Sequence, residues 1–246
     1  MNEFDGKVAL ITGAGRSPGR EIALAFSLLG GAVAANDINP INLDETVSQI
    51  HGAGGTAEGF VFDIARRMPI EAMLAQVVTR FGQIDVLVNA ASVQPDEHLL
   101  EMDEWEFHRT LDVNLGGPFF CIQQVGRVMQ VHGGGSVVNV ISAAAEKATR
   151  KGHSAYLASQ AGLVSLTCSV VHELSVHNIR INTVCDDPDV LGLFTPHDWD
   201  ESAFQRWGQA LPVTIPGSQM RLVSLVMYLC SRSASALTGK VISAAV

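Results

Sequence analysis

The chain has 246 residues, of which 47% are apolar and 17% charged, and its formal net charge at pH 7 is −9. This composition provides enough apolar side chains for a large buried core and excludes a disordered protein. An acidic chain without a basic face binds nucleic acid poorly, and no apolar run reaches the roughly 18 residues of a membrane-spanning helix. We therefore expect neither nucleic acid nor a membrane as a partner.

The cysteines and histidines point to no metal and no disulfide framework. The four cysteines lie far apart in the sequence without a C-x-x-C pair, and the eight histidines lack metal-ligand spacing. The first residues have neither a basic segment nor a signal-type cleavage site. These features favour a reducing, cytoplasmic location.

Strand-like and helix-like segments alternate along the chain. The strand patterns lie near 7–12, 32–36, 57–62, 84–89, 135–141, 179–184 and 240–244. The helix patterns lie near 19–29, 41–50, 68–81, 102–130, 153–177 and 218–231. This order is typical of βαβ units, and no linker or repeat interrupts it. We predict one α/β domain over residues 1–246, a Rossmann-like, doubly wound parallel sheet of about seven strands flanked by helices.

A glycine-containing turn, Gly13-Ala-Gly-Arg16-Ser17-Pro18-Gly19, connects the first strand to the first helix. The backbone N–H groups of such a turn approach a pyrophosphate at the helix N-terminus, where the helix dipole favours negative charge. Here Pro18 has no N–H group, and Ser17 adds a side chain where the backbone would approach a cofactor. A plain connection between strand and helix is the competing interpretation.

Asp37 ends the second strand, about twenty residues beyond the glycine turn. A carboxylate at this place accepts a hydrogen bond from a ribose 2′-hydroxyl and repels a 2′-phosphate. NAD is therefore favoured over NADP if a cofactor binds. The alternative is an acidic residue at the N-terminus of the helix that begins near Pro40.

Ser142 ends the strand near 135–141, and Tyr156 lies fourteen positions later at the start of a helix. Gln160 follows one helical turn on, so both side chains are expected to face one cleft. A strand-end serine followed by Tyr-x-x-x-Lys is the signature of the classical short-chain dehydrogenases/reductases, which this chain resembles over its whole length. The resemblance implies that Ser142 polarises the substrate oxygen and Tyr156 exchanges its proton, with hydride passing to or from a nicotinamide. Taken alone, the two residues also fit an ordinary strand end and a helix-face aromatic.

Further partial motifs follow the order of this family. Asp63 and Ile64 match its adenine-contacting element, although a simple strand-end acid is the alternative. Asn89-Ala-Ala-Ser92 resembles Asn-Asn-Ala-Gly, which supports the sheet and flanks the nicotinamide. Asn114 corresponds to the helix-bending asparagine that holds a water of the proton relay, but the Gly-Gly-Pro sequence after it would bend the helix in any case.

The part of the chain after the sixth strand departs further from the family. Asp186 and Asp187 replace a Pro-Gly turn at the nicotinamide. Residues 186–216 form a substrate-lid-like insertion that is aromatic and acidic, with Arg206 as its only basic side chain. We therefore expect an anionic substrate to bind weakly to this segment. A solvated acidic loop above packed aromatic side chains is the alternative interpretation.

The missing lysine changes the chemistry expected at Tyr156. A tyrosine, with a pKa near ~10, acts as a base at neutral pH only beside a positive charge, and Gln160 has none. The first hypothesis is therefore a non-catalytic subunit that acts beside an active homologous subunit, as in the degenerate subunit of a heteromeric hydroxyacyl-CoA dehydrogenase. The alternatives are an independently active NAD-dependent alcohol/ketone oxidoreductase and a non-enzymatic dinucleotide-sensing or scaffold protein.

The expected partners follow from the same resemblance. The helix pattern 153–177 is apolar nearly all round, and the equivalent family helix packs against another subunit. We expect a hetero-oligomer with a homologous short-chain dehydrogenase subunit, or a dimer or tetramer of this chain, and a small-molecule substrate. NAD is the expected cofactor if any is bound, and a chain that binds none is the other expectation.

Overall fold

The computed structural model describes residues 2–141, 152–187, 190, 198–211 and 220–244. Ser142 lies outside these residues, as do residues 188–189, 191–197 and 212–216 of the lid-like segment. The described residues include every strand that the sequence predicts.

Seven parallel strands form one sheet. The strands are β1 (Val8–Thr12), β2 (Ala32–Asp37), β3 (Thr56–Val61), β4 (Val86–Asn89), β5 (Gly135–Ile141), β6 (Ile179–Cys185) and β7 (Val241–Ser243). Their order across the sheet is β3-β2-β1-β4-β5-β6-β7. All residues of β1 are buried, as expected for a central parallel strand covered on both faces. The predicted α/β fold is confirmed.

Helices cover both faces of the sheet. They are α1 (Gly19–Leu28), α2 (Pro40–Gly52), α3 (Arg67–Phe81), α4 (Glu104–Leu111), α5 (Gly117–Val131), α6 (Ser154–Ser169), α7 (Val171–Ser175), α8 (Glu201–Ala210) and α9 (Met220–Cys230). One apolar cluster joins α1, α2 and α9 to the sheet. A second cluster joins α3 and α5 to the opposite face.

Three helical segments differ from the prediction. The segment predicted over 102–130 is two α-helices, α4 and α5, joined by a π-helical turn at Asp112–Gly116. The segment predicted over 153–177 is interrupted at Val170, between α6 and α7. Helix α8 was not predicted. Its first turn is capped by Asp200, whose side chain accepts a hydrogen bond from the Ala203 amide.

The strand order reverses between β1 and β4, and ligands of open α/β sheets bind at such a point, beyond the carboxyl ends of the strands. Gly13, Asp37 and Asn89 lie at the carboxyl ends of β1, β2 and β4. Asp187 follows β6 at the same edge of the sheet. The fold therefore brings these four residues to one side of the molecule.

Candidate active site

The glycine turn after β1 keeps the close packing that requires glycine. Gly13 has a φ of 69°, and a Cβ atom there would lie 2.6 Å from the Cα of Ala91. A Cβ atom at Gly19 would overlap the carbonyl oxygen of Gly13. A side chain at either position would push the turn away from the loop after β4, so both glycines are needed for this geometry.

The two substituted positions of the turn lie at the start of α1. Ser17 is exposed, and its hydroxyl donates to a carboxylate oxygen of Glu21 at 3.3 Å. Pro18 precedes α1 and gives it no side-chain cap. The N-terminus of α1 would otherwise attract a diphosphate. Here it carries the acidic side chain of Glu21 and lacks the N–H group of residue 18.

Asp37 binds the glycine turn directly. One carboxylate oxygen accepts a hydrogen bond from the Gly15 amide at 2.9 Å, and the other accepts from the Asn39 amide at 2.9 Å. Each carboxylate oxygen has a second lone pair, so Asp37 still has acceptor capacity for a ribose hydroxyl. Arg16 crosses from the turn to the loop after β4, where its guanidinium donates to the Ser92 carbonyl at 2.7 Å.

A cavity of about 320 Å³ adjoins Asp37. Its lining includes Gly13, Arg16, Asp37, Asp63, Ile64 and Arg109. The volume is at the lower end of the roughly 300–1,000 Å³ of small-molecule pockets.

Asp63 is paired with a cation that the sequence interpretation missed. Arg109 on α4 donates to its carboxylate at 2.9 Å, and the Ala65 amide donates to the same carboxylate at 2.9 Å. Ile64 is buried and packs under Gly117. A signal existed in the sequence, because Arg109 is the only lysine or arginine between Arg80 and Arg127.

Asn89 belongs to a buried chain of polar side chains below the cleft. Its amide donates to Asn139 at 2.8 Å, Asn139 donates to Thr167 at 2.9 Å, and the hydroxyls of Thr167 and Thr183 lie 2.8 Å apart. This polar chain connects β4, β5, β6 and α6. Asn89 therefore joins β4 to β5 through its side chain.

Asn114 lies in the π-helical turn and holds the loop after β4. Its amide donates to the Val93 carbonyl at 2.8 Å and to the Ser159 hydroxyl at 3.0 Å, and its carbonyl accepts from the Val93 amide at 2.8 Å. The side chain of Asn114 is thus used to fix the backbone beside α6.

Tyr156 lies on α6 and hydrogen-bonds to an acidic side chain. Its hydroxyl donates to a carboxylate oxygen of Asp187 at 3.2 Å. Tyr156 is 1% exposed and Asp187 is 3% exposed. The Val190 amide also donates to Asp187, at 3.2 Å, which fixes the carboxylate after β6.

The surroundings of Tyr156 oppose ionisation. Burial raises the pKa of its phenol, and the negative charge of Asp187 raises that pKa further. Burial also raises the pKa of the neighbouring Cys185 thiol, to about 12. Both groups are therefore neutral at physiological pH.

Two further polar side chains are buried, one on α6 and one at its N-cap. Each has one atom that makes no hydrogen bond among the described residues. Gln160 is 2% exposed and His153 is 4% exposed. Gln160 Oε1 and His153 Nε2 make no hydrogen bond in the described structure. The rings of His153 and Tyr156 lie edge to face, with their centroids 6.3 Å apart. Tyr156 and Gln160 thus share a buried face of α6, as their spacing predicts, and His153 joins them.

The described part of the lid-like segment is anchored by aromatic side chains. Trp199, Phe204 and Trp207 form ring contacts with Tyr228 of α9 at centroid distances of 5.6 to 6.1 Å. Arg206 lies 3.5 Å from the carboxylate of Asp200. In residues 198–211, acidic surface residues thus lie beside packed aromatic rings.

Within the described ranges, no helix is long and apolar enough to cross a bilayer. The same part of the chain has no group of three or more His, Cys, Asp or Glu side chains placed to hold a metal ion.

A doubly wound parallel sheet with an acidic strand end, a glycine turn and a tyrosine-bearing helix at its switch point defines a Rossmann-type nucleotide-binding architecture. The sequence model of the short chain dehydrogenase family matches residues 7–188, and the chain belongs to that family.

Relatives of known name include catalytic enzymes and a complex subunit. The chain is 33% identical over 239 residues to a 3-oxoacyl-[acyl-carrier-protein] reductase FabG of Thermotoga maritima, covering 97% of this chain and 96% of the relative. It is 34% identical over 195 residues to the (2S)-[(R)-hydroxy(phenyl)methyl]succinyl-CoA dehydrogenase subunit BbsD of Thauera aromatica, covering 79% and 76%. A 7α-hydroxysteroid dehydrogenase solved with NADH and 7-oxo glycochenodeoxycholic acid superposes with a TM-score of 0.80 at 28% identity, covering 98% and 93%.

Proposed function

We propose that this chain is the non-catalytic subunit of a heteromeric NAD-dependent short-chain dehydrogenase. It stabilises or shapes an assembly in which a homologous subunit carries out the reaction. The observation that carries this proposal is the hydrogen bond from Tyr156 to Asp187, beside a neutral Gln160.

The chemistry of alcohol oxidation explains why this hydrogen bond matters. An alcohol loses its hydroxyl proton during oxidation, so the site needs a base whose pKa lies near the working pH. Tyr156 has a raised pKa and a carboxylate as neighbour, and both keep the phenol protonated. A positioned base contributes roughly 10²- to 10⁴-fold in rate, and Tyr156 cannot supply that contribution here.

The two halves of the dinucleotide site differ in how well they fit NAD. Asp37 and the adjoining cavity fit an adenosine. Glu21 and Pro18 at the start of α1 do not favour the diphosphate, and the buried side chain of Asp187 replaces a compact turn beside the nicotinamide position. The residues of this chain therefore do not fit a complete dinucleotide, and we assign no hydride-transfer step to it.

The proposed substrate of the whole assembly is a hydroxyacyl-CoA compound. The Thauera relative carries the name of a subunit of a (2S)-[(R)-hydroxy(phenyl)methyl]succinyl-CoA dehydrogenase, which supports the choice. The segment 186–216 is acidic, with Arg206 as its only lysine or arginine, so an anionic CoA chain is expected to bind to the partner. The four unpaired cysteines are consistent with a reducing cytoplasm.

Calorimetric titration of the isolated chain with NAD tests the proposal. We expect little heat, no turnover of secondary alcohols by the chain alone, and a stoichiometric homologous partner when it is purified from its source. Tight NAD binding together with turnover by the isolated chain would show that the proposal is wrong.

A second candidate is an independently active NAD-dependent alcohol/ketone oxidoreductase. The acceptor geometry of Asp37 and the full-length similarity to a reductase favour it. It requires micromolar to millimolar NAD affinity and a measurable rate without a partner, so the same titration separates the two functions.

A further inference from the structure

Residues 99–107, which run into the first turn of α4, expose large apolar side chains to solvent. Of the thirteen large apolar side chains that are exposed in the described part of the chain, four lie in this segment: Leu99, Leu100, Trp105 and Phe107. Leu100 is 97% exposed, Leu99 73% and Trp105 65%. Single exposed apolar residues are normal on a protein surface, but a concentration of them indicates an interaction site.

A groove between α4 and the start of α6 adjoins this segment. Its volume is about 510 Å³, and its apolar walls are formed by Leu99, Met102, Phe107 and Ala155. Ala155 belongs to the first turn of α6 and precedes Tyr156. A partner bound in this groove would therefore contact the helix that carries the altered tyrosine site.

The same surface is acidic. Residues 96–107 contain six carboxylates and neither lysine nor arginine. Glu104 lies 3.7 Å from the ring of His108, but in the part of the chain that the structure describes no carboxylate of residues 101–106 forms an ion pair with a lysine or an arginine. Carboxylates in the first turn of α4 suit the helix dipole, which explains part of the charge but none of the exposed apolar side chains.

The charge of this surface decides which kind of partner fits it. In an isologous dimer the same surface meets itself across a two-fold axis, so a second copy of this chain would place carboxylates against carboxylates. Like charges facing each other across an interface oppose association. A subunit with basic side chains around apolar ones would complement both the carboxylates and the groove.

We propose that the α4 surface, defined as residues 99–107 together with Ser154 and Ala155, docks the homologous catalytic subunit, and that this subunit presents lysine or arginine side chains around an apolar centre. The apolar side chains supply affinity, and the carboxylates select a cationic partner over a second copy of this chain. The inference rests on the proposed function, because that function supplies the partner. It adds the surface and the chemistry through which the two subunits meet.

The test uses the full chain and the homologous subunit that is purified with it from its source. Hydrogen exchange of residues 99–107 is compared between the complex and the isolated chain, and the dissociation constant is measured for variants at low and high salt. Leu100→Glu replaces an apolar contact with a negative charge, and Glu101→Lys reverses one charge. The matched controls make the same two changes at exposed positions elsewhere, Val176→Glu and Asp44→Lys.

We expect residues 99–107 to exchange more slowly in the complex, and Leu100→Glu and Glu101→Lys each to weaken binding about tenfold, with both controls unchanged. Added salt is expected to weaken wild-type binding more than binding by Glu101→Lys, because one attractive charge is lost in the variant.

Unchanged exchange in the complex, or equal affinities of Leu100→Glu and Val176→Glu, would overturn the inference and leave the proposed function standing. Protection of the same segment in a homo-oligomer of the isolated chain would also overturn it. Absence of any homologous subunit would contradict both the inference and the proposed function.

Discussion

Tyr156 and Asp187 lie 31 residues apart in the sequence and meet through a hydrogen bond of 3.2 Å. Both are buried, so water screens their interaction weakly. A lysine near a tyrosine stabilises the phenolate, whereas a carboxylate stabilises the neutral phenol. Because Tyr156 has the carboxylate of Asp187 as its neighbour and no lysine, its pKa is raised and the protonated phenol is favoured.

The pKa of Tyr156 is directly measurable, because the chain has only two tyrosines. In a Tyr228→Phe background, ultraviolet absorbance of tyrosinate reports Tyr156 alone. We expect ionisation only above the usual range near pH ~10, and Asp187→Asn to lower that pKa by about one unit or more, because the negative charge is removed. Ionisation near pH 10 with Asp187 intact would contradict the described hydrogen bond.

Gln160→Lys restores the missing cation but not the rest of the site. We expect no NAD-dependent oxidation of secondary alcohols by this variant, because Asp187, Ser17 and Pro18 are unchanged. Asp187→Gly in the same background is expected to lower the pKa of Tyr156 further. Full activity from Gln160→Lys alone would show that the changes at the glycine turn and after β6 do not matter.

At the scale of the elements, the sequence predicted each strand of the sheet, because parallel strands buried on both faces are continuous apolar runs. It predicted that Tyr156 and Gln160 share a helix face, because helical spacing is local. It did not predict the contact of Tyr156 with Asp187 or of Asp63 with Arg109, since side-chain directions across loops depend on tertiary packing. Helix α8 was missed although Asp200 is a good N-cap residue, because its aromatic side chains were attributed to a loop.

Asn114 fixes the loop after β4 by three hydrogen bonds to Val93 and Ser159. We expect Asn114→Ala to reduce the free energy of unfolding by about 1–3 kcal/mol and to speed hydrogen exchange of the Val93 amide. Gln130→Ala, at an exposed position on α5, is the control for exchange and for denaturation by urea. Unchanged exchange at Val93 would argue against this function of the asparagine.

The glycine turn permits a comparison of conformational strain with steric overlap. Gly13 and Gly133 both have positive φ angles, of 69° and 89°, but only Gly13 has backbone atoms where a Cβ would lie. We expect Gly133→Ala to cost about 1 kcal/mol and Gly13→Ala at least 2 kcal/mol more. Urea denaturation of the two variants measures the difference, and equal costs would exclude close packing against Ala91.

At the scale of the whole molecule, the changes in the site are unevenly distributed across the sheet. In the proposed function, Asp37 and its cavity, beyond β2, accept adenosine, whereas the end of α1 and the chain after β6 do not fit the remainder of NAD. On this proposal the molecule has one half of a dinucleotide site.

This division predicts that ADP and NAD, at equal concentrations, raise the thermal midpoint by similar small amounts. Each stabilises the fold according to its own affinity, and the nicotinamide adds little affinity here. Differential scanning fluorimetry is the measurement, and Asp37→Ala is expected to abolish both shifts. A much larger shift with NAD would show that the nicotinamide is bound after all.

The polar chain of Asn89, Asn139, Thr167 and Thr183 lies one layer beneath the altered cleft. In the described structure, none of its hydrogen bonds involves Tyr156, Gln160 or Asp187. Substitutions at Tyr156, Gln160 or Asp187 can therefore occur without breaking the hydrogen bonds of this buried polar chain. Such a protein is a suitable scaffold for laboratory evolution, because new reactivity could be selected at the cleft residues while the buried polar chain continues to stabilise the fold.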